Sequence, residues 1–407
     1  MGIKIRPTYL IMVTTENNNK YYNCFPDGDS FRVEYGRVDA TKTTTRYPIS
    51  KWESQIKNKL KKGYKDVTDL KKDLVEEIQN ENEESPYEEI ENESVRRIVH
   101  RLQNLAKDTI KKNYTVKASS VTKDMIDAAQ EIINVLPNCM TVDDFNNNLL
   151  KLFTVIPRKM EDVRYYLAKN TDDFPSMITK EQDLLDVMHG QIYIKPETQD
   201  NTIPIEKKKC TILEELGLEM DDVTDDEVSM IKNLMNESKN KFRKAWKVTN
   251  KKTQEKFDKF VKDNSIKNTK LLFHGSRSEN WFSIMKTGLV LRPTNAVITG
   301  KMYGIGVYFA PKCQKSIGYT SLSGSYWAHG GNNIAYMALF EVAYGKPYDV
   351  YTFDSKYYNL NYDNLQKMSA GANCLHAHAD KGMLRNDEIV VYKEDQMTIK
   401  YLIEIGD

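Results

Sequence analysis

No apolar run in this chain approaches the length of a membrane span, and the first residues, MGIKIRPTYL, carry no apolar secretion segment. A membrane-spanning or exported protein is therefore not expected. A Met-Gly start invites comparison with a myristoylation signal, but Arg6 stands where that signal wants Ser or Thr. Cysteine is sparse: Cys24, Cys139, Cys210, Cys313 and Cys374 are odd in number, far apart and never in a C-x-x-C pair. That argues for free thiols in a reducing, intracellular compartment and against a structural zinc site or zinc finger. Charge of one sign is also lacking. The formal net charge is +1, so any attraction to nucleic acid must come from uneven distribution. There is no internal repeat and no regular alternation of strands with helices.

What is present fits a chain of several domains. Its 407 residues suffice for two or three domains, and 29% charged with 40% hydrophobic residues is an ordinary globular balance. The first 75 residues read as β-strands with a closing helix. YLIMVT, KYYNCF and FRVEYGRV are rich in β-branched and aromatic residues and are separated by Asn17-Asn18-Asn19 and Pro26-Asp27-Gly28-Asp29. Ser50 is placed to cap a helix through Trp52, Ile56 and Leu60. This segment holds fifteen Lys/Arg against nine Asp/Glu, many of the positives in Lys57–Lys65.

Residues 76–93 are acidic, contain Pro86 and offer almost no core residues, which predicts a solvated linker. From 94 to 199 the period becomes helical: VRRIVHRLQNLAKDTI aligns Val95, Ile98, Val99, Leu102 and Leu105 on one face. MIDAAQEIINVL and FNNNLLKLFTVI repeat the style, and Thr179-x-x-Gln182 resembles a capping box opening a further helix. Residues 200–407 mix helices with KAWKVT, KLLFHG, GVYFAP, MALFEVAYG, DEIVVY and TIKYLIEI, the pattern of an α+β domain with mainly antiparallel sheets.

Four stretches of this last segment carry groups suited to chemistry. LLFHGSR ends a strand on His274, Gly275 and Ser276. MYGIGVYFAPKCQKSIGY places Met302, Tyr308, Lys315, Ser316 and Tyr319 close in sequence, and NDEIVVY opens an apolar strand with the lone acid Glu388. In CLHAHAD, Cys374, His376 and His378 alternate and would share one strand face; with no second cysteine pair the reading is no metal. Gly304-x-Gly306 lacks the third glycine of a dinucleotide fingerprint. A histidine, a hydroxyl and exposed glycine backbone can bind a ribose and a carboxamide, and tyrosine faces can stack on a nicotinamide ring. A nearby carboxylate can stabilise a cationic ribose and take a proton from an attacking hydroxyl.

LLFHGSR, TGKMYGIGVYFA, KSIGY and NDEIVVYKEDQMTIKYLIEI, in this order and spacing, resemble the DNA-dependent poly(ADP-ribose) polymerases, with His274, Tyr308 and Glu388 as the His-Tyr-Glu signature. The resemblance extends to VRRIVHRL and KLFTVIPRKM, similar to the family's helical regulatory domain, and to the N-terminal strands, similar to its WGR domain, here Tyr35-Gly36-Arg37. The implied organisation is a WGR domain over 1–75, an acidic linker over 76–93, a helical autoinhibitory domain over 94–199 and an ADP-ribosyltransferase domain over 200–407.

The implied substrate is NAD, consumed without a metal, and bound through His274, Gly275, Ser276, Tyr308, Ser316, Tyr319 and Arg292. Glu388, with His274 and Tyr308, is the implied catalytic set; Met302, Lys315 and Glu388 serve the acceptor. The implied DNA contacts are Tyr35, Gly36, Arg37, Lys57, Lys61 and Lys62. DNA strand breaks and protein acceptors, including the chain itself, are the implied partners, along with an accessory factor completing the acceptor site. Glu at the third signature position favours polymer. A transferase of single units and a silent DNA-binding scaffold are the alternatives.

Overall fold

The computed structural model describes residues 3–38, 40–70, 87–116, 121–191, 210–291, 302–379 and 384–406. The chain divides into two compact units. One comprises residues 1–83 and 107–196, the other residues 84–106 and 197–407. The division falls within a single helix, and residues 87–106 belong to the second unit.

The first unit opens with strands β1 (Thr8–Thr14), β2 (Asn18–Asp27), β3 (Ser30–Arg37) and β4 (Thr43–Pro48), followed by helix α1 (Trp52–Lys61) and the short strand β5 (Lys65–Asp66). They form one antiparallel sheet in the order β4-β3-β2-β1-β5. Helix α1 lays Trp52 and Ile56 into a core with Leu10, Tyr22, Cys24, Phe31 and Val33. Leu60, expected on that face, is exposed. Ser50 caps nothing: it lies in the 3-10 turn Ile49–Lys51, and the helix starts without a side-chain cap.

Helix α2 (Glu93–Asn113) crosses the division, and α3 (Lys123–Val135), α4 (Val142–Val155) and α5 (Phe174–Gln191) complete the first unit. Thr122 and Thr141 cap α3 and α4 by accepting from Met125 N and Asp144 N. Helix α5 begins five residues before Thr179, so the expected capping box there is wrong. Thr179 is interior, and its hydroxyl donates to Pro175 O at 3.0 Å. The capping box of this region is Asn170 with Asp173, in the turn that leads into α5. A buried ion pair ties the helices together. Arg158 donates to both carboxylate oxygens of Glu181 at 2.7 and 2.8 Å, and its guanidinium carbon lies 4.5 Å from the Tyr114 ring centre.

In the second unit the N-terminal part of α2 packs as core. Val95, Ile98, Val99 and Leu102 join a cluster containing Trp246, Trp281 and Tyr336. Of the expected acidic linker, residues 76–86 lie outside the described residues; in 87–93 Glu88, Glu89, Glu91 and Glu93 are exposed, but the segment is anchored. Ile90 is buried, Glu88 N donates to Cys210 O, and Ser94 bridges Asp222 and the Trp246 indole N–H. One apolar residue, one backbone donor and the Ser94 hydroxyl suffice to dock this acidic segment.

The remaining elements run α6 (Ile212–Leu216), β6 (Leu218–Asp222), α7 (Asp225–Met235), β7 (Phe242–Asn250), α8 (Lys251–Asp263), β8 (Lys270–Gly275), α9 (Trp281–Thr287), β9 (Val307–Phe309) and α10 (Cys313–Ile317). They continue with β10 (Ile334–Val342), β11 (Pro347–Val350), α11 (Tyr362–Met368), β12 (Cys374–Ala377), β13 (Glu388–Val391) and β14 (Met397–Gly406). Threonine-glutamate capping boxes, Thr211 with Glu214 and Thr224 with Glu227, start α6 and α7.

Two sheets result, ordered β6-β7-β14-β10-β8 and β11-β12-β13-β9. All pairings are antiparallel except β11 with β12. The sheets meet where Phe273 of β8 exchanges backbone hydrogen bonds of 2.9 and 3.0 Å with Ala310, just past β9. That junction brings the end of β8 beside β9 and β13. Among the described residues no helix is long and apolar enough to cross a membrane.

Candidate active site

The site grows from the sheet junction. His274 sits one residue before the end of β8, opposite Ala338 of β10. Its Nδ1 lies 3.0 Å from Tyr308 O in β9. A carbonyl can only accept, so Nδ1 carries the proton and Nε2 is left with a lone pair. The rings of Trp281, Phe309 and Phe340 surround the imidazole edge-on at 5.7–6.4 Å. Burial among them pushes its pKa down to about 4, with the Tyr308 carbonyl pulling weakly the other way. His274 is therefore a neutral imidazole whose Nε2 can accept a hydrogen bond.

The sign of the pH dependence follows. The folded value lies below the ordinary one near 6.5. The neutral ring thus supports the folded site fully above about pH 6.5, and that support is lost as pH falls toward 4. NAD affinity, read by calorimetry, is expected to be flat from about pH 6.5 to 8 and to fall only on acidification toward 4. A loss of affinity on raising pH through about 6.5 would contradict a neutral acceptor.

Gly275 follows, and its reason for being glycine lies in the protein itself. A Cβ there would stand 1.9 Å from Ser316 O of α10. The absent side chain lets α10 pack against the end of β8, so any side chain at 275 disturbs the fold as well as ligand approach. Even Gly275→Ala must displace α10. We expect a loss of about 1–3 kcal/mol in stability together with weakened NAD binding, measured by thermal unfolding and calorimetry. Wild-type values for both would show that the contact is not needed.

The other walls are held as firmly. Tyr308 accepts from Tyr303 N at 2.9 Å and donates to Gly304 O at 3.0 Å, which fixes its ring. Gly304 has φ +80°, and a Cβ there would meet Leu360 O at 2.2 Å. Ser316 is buried on α10. Tyr319 stacks on Trp327, ring centres 6.1 Å apart and planes at 19°. Burial, then the nearby Glu388 carboxylate, raises the Tyr319 phenol to about 12. Met302 packs beside Tyr308 around Tyr303 and Leu360.

Glu388 opens β13, paired with Ala377 of β12, and is 7% exposed. Lys315 Nζ of α10 lies 2.5 Å from its Oε1 and donates to Asn386 O at 3.2 Å. Burial raises the Glu388 carboxyl above the ordinary range, and the Lys315 charge opposes that rise. The structure thus gathers His274, Gly275, Tyr308, Lys315, Ser316, Tyr319 and Glu388 around one junction. Ser276 is engaged beside it, its Oγ accepting from Asn280 Nδ2 at 3.1 Å. Arg292 lies outside the described residues.

Residues 225–406 match the poly(ADP-ribose) polymerase catalytic domain. The putative poly [ADP-ribose] polymerase-like 100L of Invertebrate iridescent virus 6 is 35% identical over 195 residues, covering 46% of this chain and 99% of that protein. The chain belongs to the poly(ADP-ribose) polymerase family. It is also 36% identical over 198 residues to uncharacterized protein 101L of the same virus, 48% of this chain and 80% of that one. Identity to poly [ADP-ribose] polymerase 2 of Arabidopsis thaliana is 32% over 168 residues, 36% of this chain and 25% of the plant protein. The protein is accordingly an NAD-dependent ADP-ribosyltransferase.

The junction thus presents a neutral imidazole acceptor and ordered aromatic rings. Asn280, buried between Ser276 and α9, has an enclosed Oδ1 with no partner among the described residues, which sequence reasoning missed. Trp327 was missed too. Its only sequence signal was the pair Tyr326-Trp327 in an otherwise polar loop.

The expected DNA contacts lie in the first unit. Arg37 donates to Asn17 O and Oδ1, both at 2.8 Å, and to Glu161 O at 2.9 Å, so its guanidinium already holds protein groups. Tyr35 lies beside Tyr22, with Lys59 Nζ 4.1 Å from the Tyr22 ring centre. Lys57, Lys61 and Lys62 are exposed on or just after α1, Lys57 paired with Glu53. At Gly36 a Cβ would make only ordinary contacts, the nearest with Thr41 O at 3.4 Å.

Proposed function

We propose that this protein builds ADP-ribose chains on protein acceptors, itself included, and that DNA ends switch it on. The observation that carries chain building is the buried Glu388 carboxylate held by Lys315 at 2.5 Å beside the pocket. In this reading His274 Nε2 accepts from the adenine-side ribose. The Gly275 backbone and the Ser316 hydroxyl hold the nicotinamide carboxamide, Tyr319 stacks on its ring, and Tyr308, Ser276 and Arg292 complete the pocket.

The bond between ribose C1 and the nicotinamide nitrogen breaks, and its electron pair leaves with nicotinamide. An acceptor oxygen then bonds to C1 and gives up its proton. Glu388 stabilises the positive charge developing on the ribose and polarises the incoming hydroxyl, while Lys315 and Met302 flank the acceptor. Positioning NAD carries much of the rate, since the positive ring is already a good leaving group.

DNA-end sensing rests on the basic surface of α1, with Lys57, Lys61 and Lys62, and on Tyr35 and Gly36. Arg37 braces this surface through Asn17 and Glu161, and phosphate contact would require it to exchange a partner. The helical segment would hold the enzyme at low activity until DNA binds. Deleting all of it is a poor test, because Val95–Leu102 belong to the core of the catalytic unit.

Labelled NAD incubated with the chain alone and with nicked, blunt or overhanging duplexes decides the matter on a gel. A ladder or smear that strengthens with DNA ends is expected. A single sharp band would mean one-unit transfer, and equal signal without DNA would refute activation by ends.

A further inference from the structure

A second cluster of reactive side chains lies on the sheet that carries Glu388. Strands β11 and β12 run parallel, with Asp349 in register opposite His376. His378 follows His376 by two residues on extended chain, so both imidazoles emerge on one face. Their rings stack with centres 3.9 Å apart. Asp349 Oδ1 lies 2.7 Å from His378 Nε2 and 3.9 Å from His376 Nδ1. From the other side, Asp387 Oδ2 lies 3.1 Å from His376 Nε2 and 3.9 Å from His378 Nδ1.

We propose that Asp349, His376 and His378 form a binding site for a divalent transition metal of the zinc class, with Asp387 as the outer carboxylate that accepts from His376 Nε2. Three observations carry this. The donor atoms of Asp349, His376 and His378 all lie within 4.8 Å of one another. Ligands around tetrahedral zinc, each about 2.0–2.2 Å from the ion, stand roughly 3.3–3.5 Å apart, so only a modest contraction is required. Two imidazole lone pairs and the Asp349 carboxylate, backed by the Asp387 charge, also form a donor set that a divalent cation balances, and imidazole with carboxylate suits zinc and its neighbours rather than calcium or magnesium.

Supports of the kind that fix metal ligands are present as well. Asp387 Oδ2 lies 3.1 Å from His376 Nε2, Ala379 N donates to Asp387 Oδ1 at 2.7 Å, and the Tyr351 ring lies flat on His378 at 4.4 Å, while Tyr344 OH, 2.8 Å from His376 Nδ1, must yield that nitrogen to the ion. Cys374, the third member of the alternating face, takes no part. Its thiol is fully buried and donates to Tyr344 O at 3.2 Å. The sequence reading of this strand was no metal, because the Asp349 carboxylate comes from another strand and is not visible in CLHAHAD.

The site's place in the fold gives it a purpose. Asp387 directly precedes Glu388, and Asn386 O accepts from Lys315. Neighbouring residues entering a strand face opposite sides of the sheet, so the ion would pin β11, β12 and the start of β13 from the side away from the NAD pocket. It would be a structural clip, taking no part in the transfer step.

The test uses the full, untagged chain after dialysis against a chelator. Calorimetric titration with zinc chloride is expected to show one tight site per chain, and zinc to raise the thermal unfolding midpoint. Cobalt(II) in its place is expected to give the visible absorption of a tetrahedral ion without a thiolate charge-transfer band. His378→Gln, at a half-exposed position, should remain folded and lose at least tenfold in zinc affinity, and Asp349→Asn should also weaken it. Absence of stoichiometric zinc binding, or equal affinity in wild type and both variants, would overturn the proposal; so would a thiolate band, which would place the ion on a cysteine.

Discussion

Glu388→Gln is expected to cut the rate of ADP-ribosyl transfer by about 10²–10⁴-fold while leaving NAD affinity within a few-fold of wild type. The side chains are nearly isosteric, and the backbone of β13, paired with Ala377 and Val390 to Tyr308, has no reason to move. The lost element is a negative charge. In the native site that charge survives burial because Lys315 Nζ stands 2.5 Å away. A neutral amide can neither stabilise a cationic ribose to the same degree nor take a proton from an incoming hydroxyl. The loss should therefore fall on kcat, with KM for NAD little changed, since His274 and Gly275 keep their places. Initial rates of nicotinamide release, with product lengths read on a gel, check this. A variant that kept the wild-type rate and product length would remove Glu388 from the mechanism.

Arg158→Met is expected to destabilise the first unit by about 3–5 kcal/mol, because it strands the Glu181 carboxylate in the interior. Arg158 is 2% exposed and Glu181 5%. Arg158 Nη2 alone meets both carboxylate oxygens, no other cation reaches them among the described residues, and Tyr114 and Phe153 cover the guanidinium faces. Removing both charges removes the problem. Arg158→Met combined with Glu181→Leu should recover most of the loss, since a buried pair seldom gains much over apolar groups of similar size. Urea unfolding followed in both variants separates the cases. If the single variant cost under 1 kcal/mol, water would have to reach Glu181, and the pair would not be the buried clamp its geometry indicates.

Much of the catalytic unit was legible because its signals are local. KLLFHG, MALFEVAYG and TIKYLIEI became strands β8, β10 and β14 within a few residues of the expected places, since apolar β-rich runs bounded by turns leave few alternatives. Helices α2, α3 and α4 followed their apolar spacing for the same reason. The motifs around His274, Tyr308 and Glu388 were legible through resemblance, and the fold does bring them to one junction.

Contacts between distant segments were not legible. Nothing in KSIGY says that the Ser316 carbonyl occupies the space a Gly275 side chain would need. Nothing in PYDV says that a parallel pairing sets Asp349 opposite His376. The buried state of Arg158 was invisible because an Arg-Lys pair reads as surface, and only tertiary packing supplies Glu181 from 23 residues away. The helical segment was misread at its start, where Thr179 mimicked a cap that Asn170 and Asp173 provide. Residues 87–93 looked solvated because their composition is acidic, yet Ile90 and Ser94 tie them to the catalytic unit.

The most direct measurement follows both halves of the substrate. The full chain is incubated with NAD carrying one label on the adenylate phosphate and another on the nicotinamide ring. The adenylate label is expected to become bound to protein while free nicotinamide appears in step with it, and Glu388→Gln should suppress both. Nicotinamide released without protein-bound label would mean hydrolysis rather than transfer, and neither signal in the presence of DNA ends would contradict the enzyme described above.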